Sequence, residues 1–280
     1  MNNRTERAAI AQDTLAVLER GHYVNRNGIA VSIADDLAAA IAGSMHYRPE
    51  QLKEFTADAE PSPVHEARIE VANETTLAAA RLLIERGYED VLCLNFASAR
   101  NPGGGFLGGS EAQEENLAKS SGLYPCISQM TAMYEANRQH KSCAYLDDMI
   151  YSPRVPVFRD DDYRYLAQPY RVSIVTAPAV NRGAVARNEP ERLPELEATM
   201  LNRIDLLLAL AQRHRHRALV LGAWGCGVFG NDPAEMARWF AHHLTGSGGY
   251  RDAFEVVRFA VLDRRGDGTY AAFAETFGAE

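Results

Sequence analysis

Apolar residues recur along this chain with two periods, and the switch between them marks the elements. Over about Thr5–Arg20, Ala8, Ile10, Leu15, Val17 and Leu18 are spread as in a helix, and Gly21 follows as a stop. Tyr23–Ile33 alternates around Asn27-Gly28, which predicts a hairpin. Asp35–Ala42 is alanine-rich and reads as a helix. The stretch from Met45 to Ala67 mixes prolines and charges with little periodicity and is expected to be a surface connector. A regular order begins near Arg68. Ile69–Ala72 predicts a strand, Asn73 or Thr75 caps a helix running to Arg86 and ended by Gly87, and Asp90–Asn95 is the next strand. A helix between two strands requires a crossover, so these strands belong to one sheet and are expected to be parallel.

Further along, Leu117–Gln139 is helical with breaks expected at Gly122 and Pro125. Strand-like runs follow at Met149–Tyr151 and Val155–Phe158, separated at Pro153, then a charged turn and the apolar strand Tyr170–Ala177. Leu196, Met200, Ile204, Leu207, Leu208 and Ala211 stand at helical spacing within Glu191–Arg213. His214 and His216 fall just after that helix, where they are read as cations complementing its carbonyl end. Ala218–Ala223 is a strand, Asp232 and Pro233 open a helix to Leu244, Val256–Leu262 is a last strand and Gly268–Phe277 a closing helix. The alternation of strands and helices indicates an α/β fold.

Charge narrows the function. The net charge of −8 argues against direct DNA binding, because such proteins present a basic face to phosphates. Any phosphate-bearing ligand must then be held by backbone N–H groups or helix N-termini. Cys93, Cys126, Cys143 and Cys226 lack CxxC spacing and read as reduced structural thiols, so no metal site is expected. The N-terminus is polar and no apolar run approaches ~18 residues, which predicts a cytoplasmic chain with no membrane association.

The candidate chemistry lies in Asn95–Glu115. Gly103, Gly104 and Gly105, then Gly108 and Gly109, follow the apolar run Val91–Leu94, so a loop able to wrap a ligand begins where a strand ends. Ser110 or Glu111 is expected to open a helix carrying Gln113, Glu114 and Glu115 near its N-terminus. Acids in a first helical turn usually act as dipole partners, but beside a glycine loop they suggest acid/base work. A second glycine-bearing turn, Gly225–Gly230, also joins a strand to a helix and can hold phosphate. Loops after separate strands of an α/β sheet can flank one cleft. Together they suit a nucleotide-diphosphate ligand, since no Walker lysine is present. Neighbouring helix positions diverge by ~100°, so Glu114 and Glu115 are not expected to face each other as a glycosidase pair. Asn73, Thr75, Thr76 and Pro178–Asn181 are weaker candidates for adenine or its ribose.

GGG at 103–105 followed by QEE at 113–115, together with GAWGCGVFG at 222–230, resembles the signature of bacterial-type poly(ADP-ribose) glycohydrolases built on a macrodomain. The resemblance implies a three-layer α/β/α domain with a mixed central sheet over residues 67–280, and an N-terminal helical and hairpin extension over 1–66. It implies that Glu115 is the catalytic acid/base and that Glu114 positions the scissile ribose. Gly225, Cys226, Gly227, Val228, Phe229 and Gly230 then form the diphosphate loop, with Phe229 against the distal ribose. Asn101 is implied as a contact to the distal ribose, with Asn95 as the alternative, and Gln113 and Gly103–Gly105 as further substrate contacts. The implied partners are poly(ADP-ribose) or ADP-ribosylated proteins, with ADP-ribose as product, acted on by a monomer without a cofactor. Two other functions fit the same pocket: an ADP-ribose reader without catalysis, and a hydrolase of mono-ADP-ribosylated protein or nucleobase. Gln113-Glu114-Glu115 separates the enzyme readings from the reader, which does not need it.

Overall fold

The computed structural model describes residues 3–57 and 67–278. Helix α1 (Arg4–Arg20) starts with a reciprocal cap, in which Glu6 N–H donates to Asn3 Oδ1 and Asn3 N–H to Glu6 Oε2, each at 2.9 Å. It ends at Gly21, and strands β1 (His22–Val24) and β2 (Ala30–Ser32) form the expected hairpin. Helix α2 (Ala34–Gly43) follows.

The stretch read as a connector is more ordered than its composition suggested. It contains β3 (Met45–Tyr47), which adds antiparallel to the edge of the main sheet, and α3 (Pro49–Ala57), held by buried Leu52 and by Phe55 against Tyr47. Two apolar residues in one short helix are too few to stand out in the sequence. The rest of that stretch, residues 58–66, lies outside the described residues.

The chain then alternates through β4 (Arg68–Ala72), α4 (Thr76–Glu85), β5 (Val91–Phe96), α5 (Gln113–Ser120), α6 (Leu123–Ser128), α7 (Thr131–Gln139), β6 (Met149–Arg159) and β7 (Tyr165–Ala177). It continues through α8 (Arg182–Asn188), α9 (Leu196–Arg213), β8 (Ala218–Leu221), α10 (Pro233–Leu244), β9 (Val256–Ala260) and α11 (Thr269–Phe277). The sheet order is β3-β6-β7-β5-β8-β9-β4. β7, β5, β8, β9 and β4 run parallel, whereas β6 is antiparallel to both β7 and β3. The strands β4 and β5 are parallel and in one sheet, as expected, but β8 and β9 lie between them.

Alternation along the central strands builds the two faces. Leu92 and Leu94 of β5, and Leu219 and Leu221 of β8, join one core with α9 and α10. Val91 and Cys93, and Ala218 and Val220, join the other with α4 and α6. The result is the three-layer, macrodomain-like α/β/α fold with a mixed central sheet.

Three local readings change. Pro125 sits in the first turn of α6, where proline is tolerated, so the second break falls after Ser128. β6 is one strand through both prolines, because a register shift between Ser152 and Val155, with Arg154 at φ 47°, takes up Pro153. His214 and His216 are not cations at the end of α9. Burial pushes His214 down to about 4 and lowers His216 as well. His214 stacks on Tyr151 with centroids 3.7 Å apart and meets the Tyr47 hydroxyl at 3.0 Å, while His216 meets Tyr151.

Arg203 on α9 is fully buried and knits the loops above β7. Its guanidinium donates to Asp147 Oδ1 at 2.7 Å and to the carbonyls of Pro178, Ala144 and Tyr145 at 2.9, 3.1 and 3.2 Å. Arg203→Met strands these acceptors and is expected to lower stability by about 3–5 kcal/mol, read as a shift in the urea midpoint at unchanged slope.

Candidate functional site

The parallel strands all end on one side of the sheet, so the loops after β5, β7, β8 and β9 gather there. They enclose a hollow of about 460 Å³, with Thr76, Gln113, Asn116, Cys226, Val228 and Arg264 in its wall. A second hollow of about 190 Å³ shares Phe96, Gln113, Gly227 and Val228 with the first and adds Gly225 and Phe229. A cavity of about 840 Å³ lies among Arg68, Arg86, Asp90, Arg217 and Glu255, at the opposite strand ends, and includes none of the expected site residues.

Helix α5 begins at Gln113, later than the sequence suggested, with Ala112 at the cap position. Gln113 fixes that start. Its amide donates to Leu94 O at 2.7 Å and Thr76 Oγ1 at 3.1 Å, and accepts from Phe96 N at 2.9 Å. The first turn is thereby tied to the end of β5 and the start of α4.

Glu114 then points inward and is only 3 % exposed. It accepts from Ser98 N at 2.7 Å and from Asn95 Nδ2 at 3.4 Å. Glu115, 9 % exposed, accepts from Gly105 N at 2.9 Å. The two carboxylates do not diverge as an ideal helix would require, because both reach Gly104. A Cβ there would stand 2.5 Å from Glu115 Oε1 and 3.1 Å from Glu114 Oε2, and φ is +59°. Only glycine fits that position.

Burial raises the Glu114 carboxyl to about 8, and the neighbouring Glu115 charge adds to the effect. The N–H groups of Ser98, Asn95 and Gly103 pull the other way and do not overcome it. At neutral pH Glu114 is thus mainly neutral.

The second glycine turn stands on a braced base. Trp224 is fully buried and its Nε1 donates to Ala177 O at 3.1 Å, linking the ends of β7 and β8. Asn231 Nδ2 donates to Val180 O, and Asp232 caps α10 by accepting from Ala234 and Glu235 N–H. Between these anchors Val228 is 88 % exposed. Among the described residues, the backbone N–H groups of Gly227, Val228 and Phe229 have no partner within the chain. Gly230 N–H closes the turn onto Gly227 O. The Phe229 ring lies 5.8 Å from that of Tyr145, and burial pushes the Cys226 thiol up to about 12, keeping it protonated.

Asn101 is exposed on the first loop and its N–H donates to Ser98 Oγ, whereas Asn95 is fully buried under Glu114. Thr75 caps α4 and Thr76 holds Gln113, and both also line the larger hollow. Asn73 is engaged with the backbone of Asp263, and Asn181 caps α8, while Ala179 reaches the smaller hollow. Ser98 and the segment Asp263–Thr269 were not anticipated. A backbone donor carries no sequence signal, and the latter segment has only turn-forming residues to mark it. Among the described residues no cluster of His, Cys, Asp and Glu could hold a metal, and no helix is long and apolar enough to cross a membrane.

The sequence profile described as "Microbial-type PARG, catalytic domain" matches residues 11–160. The crystal structure of poly(ADP-ribose) glycohydrolase (PARG) from Thermomonospora curvata is 46% identical, with 98% of this chain and 100% of that chain covered and a TM-score of 0.94. The same enzyme bound to the inhibitor ADP-HPD is 47% identical over the same shares, with a TM-score of 0.91. The enzyme from Deinococcus radiodurans in complex with ADP-ribose is 44% identical, covering 86% of this chain and 96% of that chain, with a TM-score of 0.81. A search of curated proteins finds no match.

The raised Glu114 carboxyl has a consequence for stability. The folded state holds this proton more tightly than the unfolded chain, so the associated stability is fully present below the ordinary glutamate value of 4.5 and is lost as pH rises through about 8. Urea unfolding between about pH 5 and about pH 9 is expected to show falling stability, and Glu114→Gln to flatten that slope.

Proposed function

The chain belongs to the microbial-type poly(ADP-ribose) glycohydrolases, enzymes that hydrolyse the ribose–ribose bonds of poly(ADP-ribose), and we propose that Glu115 is the group that moves the proton. A ribose–ribose bond breaks through an oxocarbenium-like transition state, and the departing oxygen needs a proton. Glu115 donates it, and the resulting carboxylate then takes a proton from the water that attacks the anomeric carbon. One carboxylate serves twice. Glu114, neutral and enclosed, positions the scissile ribose without adding a second charge beside the reacting centre.

The observation that carries this reading is the pairing of Glu115, fixed by Gly105 N–H, with three successive unpartnered N–H groups at Gly227–Phe229 across the same group of loops. Such N–H groups suit a diphosphate without any basic surface. Phe229 and Asn101 then lie against the distal ribose, and Gly103–Gly105 are further substrate contacts. Gln113 holds the helix start in register. Residues 67–280 carry this machinery, and residues 1–66 serve as an accessory extension that also lends the main sheet its edge strand Met45–Tyr47. The chain acts as a monomer in the cytoplasm without contacting DNA or membrane. The charge of −8 and the four free cysteines support that setting.

Glu115→Gln keeps size and hydrogen-bonding reach but has no proton to give. Single-turnover cleavage of poly(ADP-ribose) is expected to fall by ~10²–10⁴-fold while calorimetric ADP-ribose affinity holds. Cleavage near the wild-type rate would remove Glu115 from this role. Gly227→Val tests the other half. A Cβ at Gly227 meets nothing within 4 Å, so the fold tolerates it, and ADP-ribose binding is expected to be lost at an unchanged melting temperature. Unchanged affinity would place the diphosphate elsewhere.

A further inference from the structure

The turn that presents Gly105 to Glu115 is gripped from its far side. The carbonyls of three consecutive residues each accept from a different cation: Gly108 from Arg4 Nε at 2.9 Å, Gly109 from Arg7 Nε at 2.8 Å, and Ser110 from Lys119 Nζ at 3.3 Å. Arg4 and Arg7 stand in the first turns of α1, where cations oppose the helix dipole. Their placement serves the loop and not the helix. Lys119 is fully buried, one turn beyond Glu115 on α5, with the Tyr163 ring 4.6 Å from its ammonium.

The contact is close as well as polar. A Cβ on Gly109 would stand 2.1 Å from Arg4 O, so the backbones of α1 and the loop touch. Arg7 also pairs with Glu111 at 3.0 Å, and Thr14 Oγ1 donates to Lys119 O at 2.7 Å. Phe106, at the centre of the turn, packs with Ala11 and Ala118 in a small core of its own. Carbonyls gripped in sequence have their peptide planes fixed, and Gly105, Phe106 and Gly108–Ser110 form one hydrogen-bonded turn, with Gly108 and Ser110 N–H both returning to Gly105 O.

We propose that Arg4, Arg7 and Lys119 are positioning residues for hydrolysis, acting through the Gly105–Ser110 turn to hold Gly105 N–H on Glu115. The N-terminal helix is then part of what makes the site competent. This rests on the role given to Glu115 above. The diphosphate turn at Gly225–Gly230 is anchored separately, through Trp224, Asn231 and Asp232, so loss of the clamp should act on turnover more than on ADP-ribose binding.

The test uses the full chain carrying Arg4→Ala and Arg7→Ala together. We expect kcat on poly(ADP-ribose) to fall by about 10–100-fold, since small misplacements of a catalytic group cost that much, with ADP-ribose Kd within about twofold of wild type. Arg4→Lys with Arg7→Lys, which restores a donor to each carbonyl, should recover part of the loss. Wild-type kcat in the alanine pair overturns the proposal. So does a fall in kcat matched by an equal loss of ADP-ribose affinity, which indicates general unfolding. Should the alanine pair fail to fold, Arg7→Gln alone carries the same comparison. Glu115→Gln run in parallel separates the two ideas: if it cleaves normally the Glu115 role fails, whereas an inactive Glu115→Gln beside a fully active alanine pair overturns the clamp alone.

Discussion

Two carboxylates on adjacent residues are brought to one point of backbone, and most of the site's architecture follows from that constraint. Like charges in a buried place repel, and the site resolves the conflict by leaving Glu114 neutral through burial. Gly104 is the contact point because a Cβ would collide with both side chains. The donors around the pair are divided between them: Ser98 and Asn95 serve Glu114, and Gly105 serves Glu115. Two residues one peptide apart therefore sit in different hydrogen-bond environments.

That division requires a fixed helix start, and the fold supplies it indirectly. Gln113 spends its amide on β5 and α4, which sets the rotation of α5 and hence which acid turns inward. The parallel strands bring the second glycine turn to the same side, and Trp224 joins the ends of β7 and β8 beneath it. Arg203 does comparable work one layer away, holding the Ala144–Tyr145 backbone whose Tyr145 ring neighbours Phe229. Buried polar side chains, more than apolar packing, place the loops.

How much of this was legible in the sequence depended on whether the signal was local. The helix ended by Gly21, the Asn27-Gly28 hairpin and the Asp232-Pro233 helix start are written in a few adjacent residues, and all appear as expected. The glycine runs and the acid pair were legible for the same reason. What escaped needs partners distant in sequence. Met45–Tyr47 is a strand only because β6 pairs with it, and α3 is a helix whose apolar face is two residues wide. His214 and His216 looked like helix-end cations, and only the placement of Tyr151 and Tyr47 against them makes them neutral core residues. The direction of Glu114 and Glu115 also escaped, because ideal helical angles ignore how far a first-turn side chain can bend back toward the loop before it.

The electrostatics of the whole chain fit this local economy of charge. With a net charge of −8, the protein as a whole does not attract a polyanion over long range, which puts the weight on short-range donors at the site. Three N–H groups in a row at Gly227–Phe229 offer partial positive charge with no side chain to titrate or to be screened. Acids near such a site would oppose an anionic ligand if both were ionised. A neutral Glu114 lowers that opposition while keeping the hydrogen bond it accepts from Ser98 N–H. Arg4, Arg7 and Lys119 donate to the carbonyls of Gly108–Ser110, and Arg7 also pairs with Glu111. Their positive charge thereby fixes the loop in place.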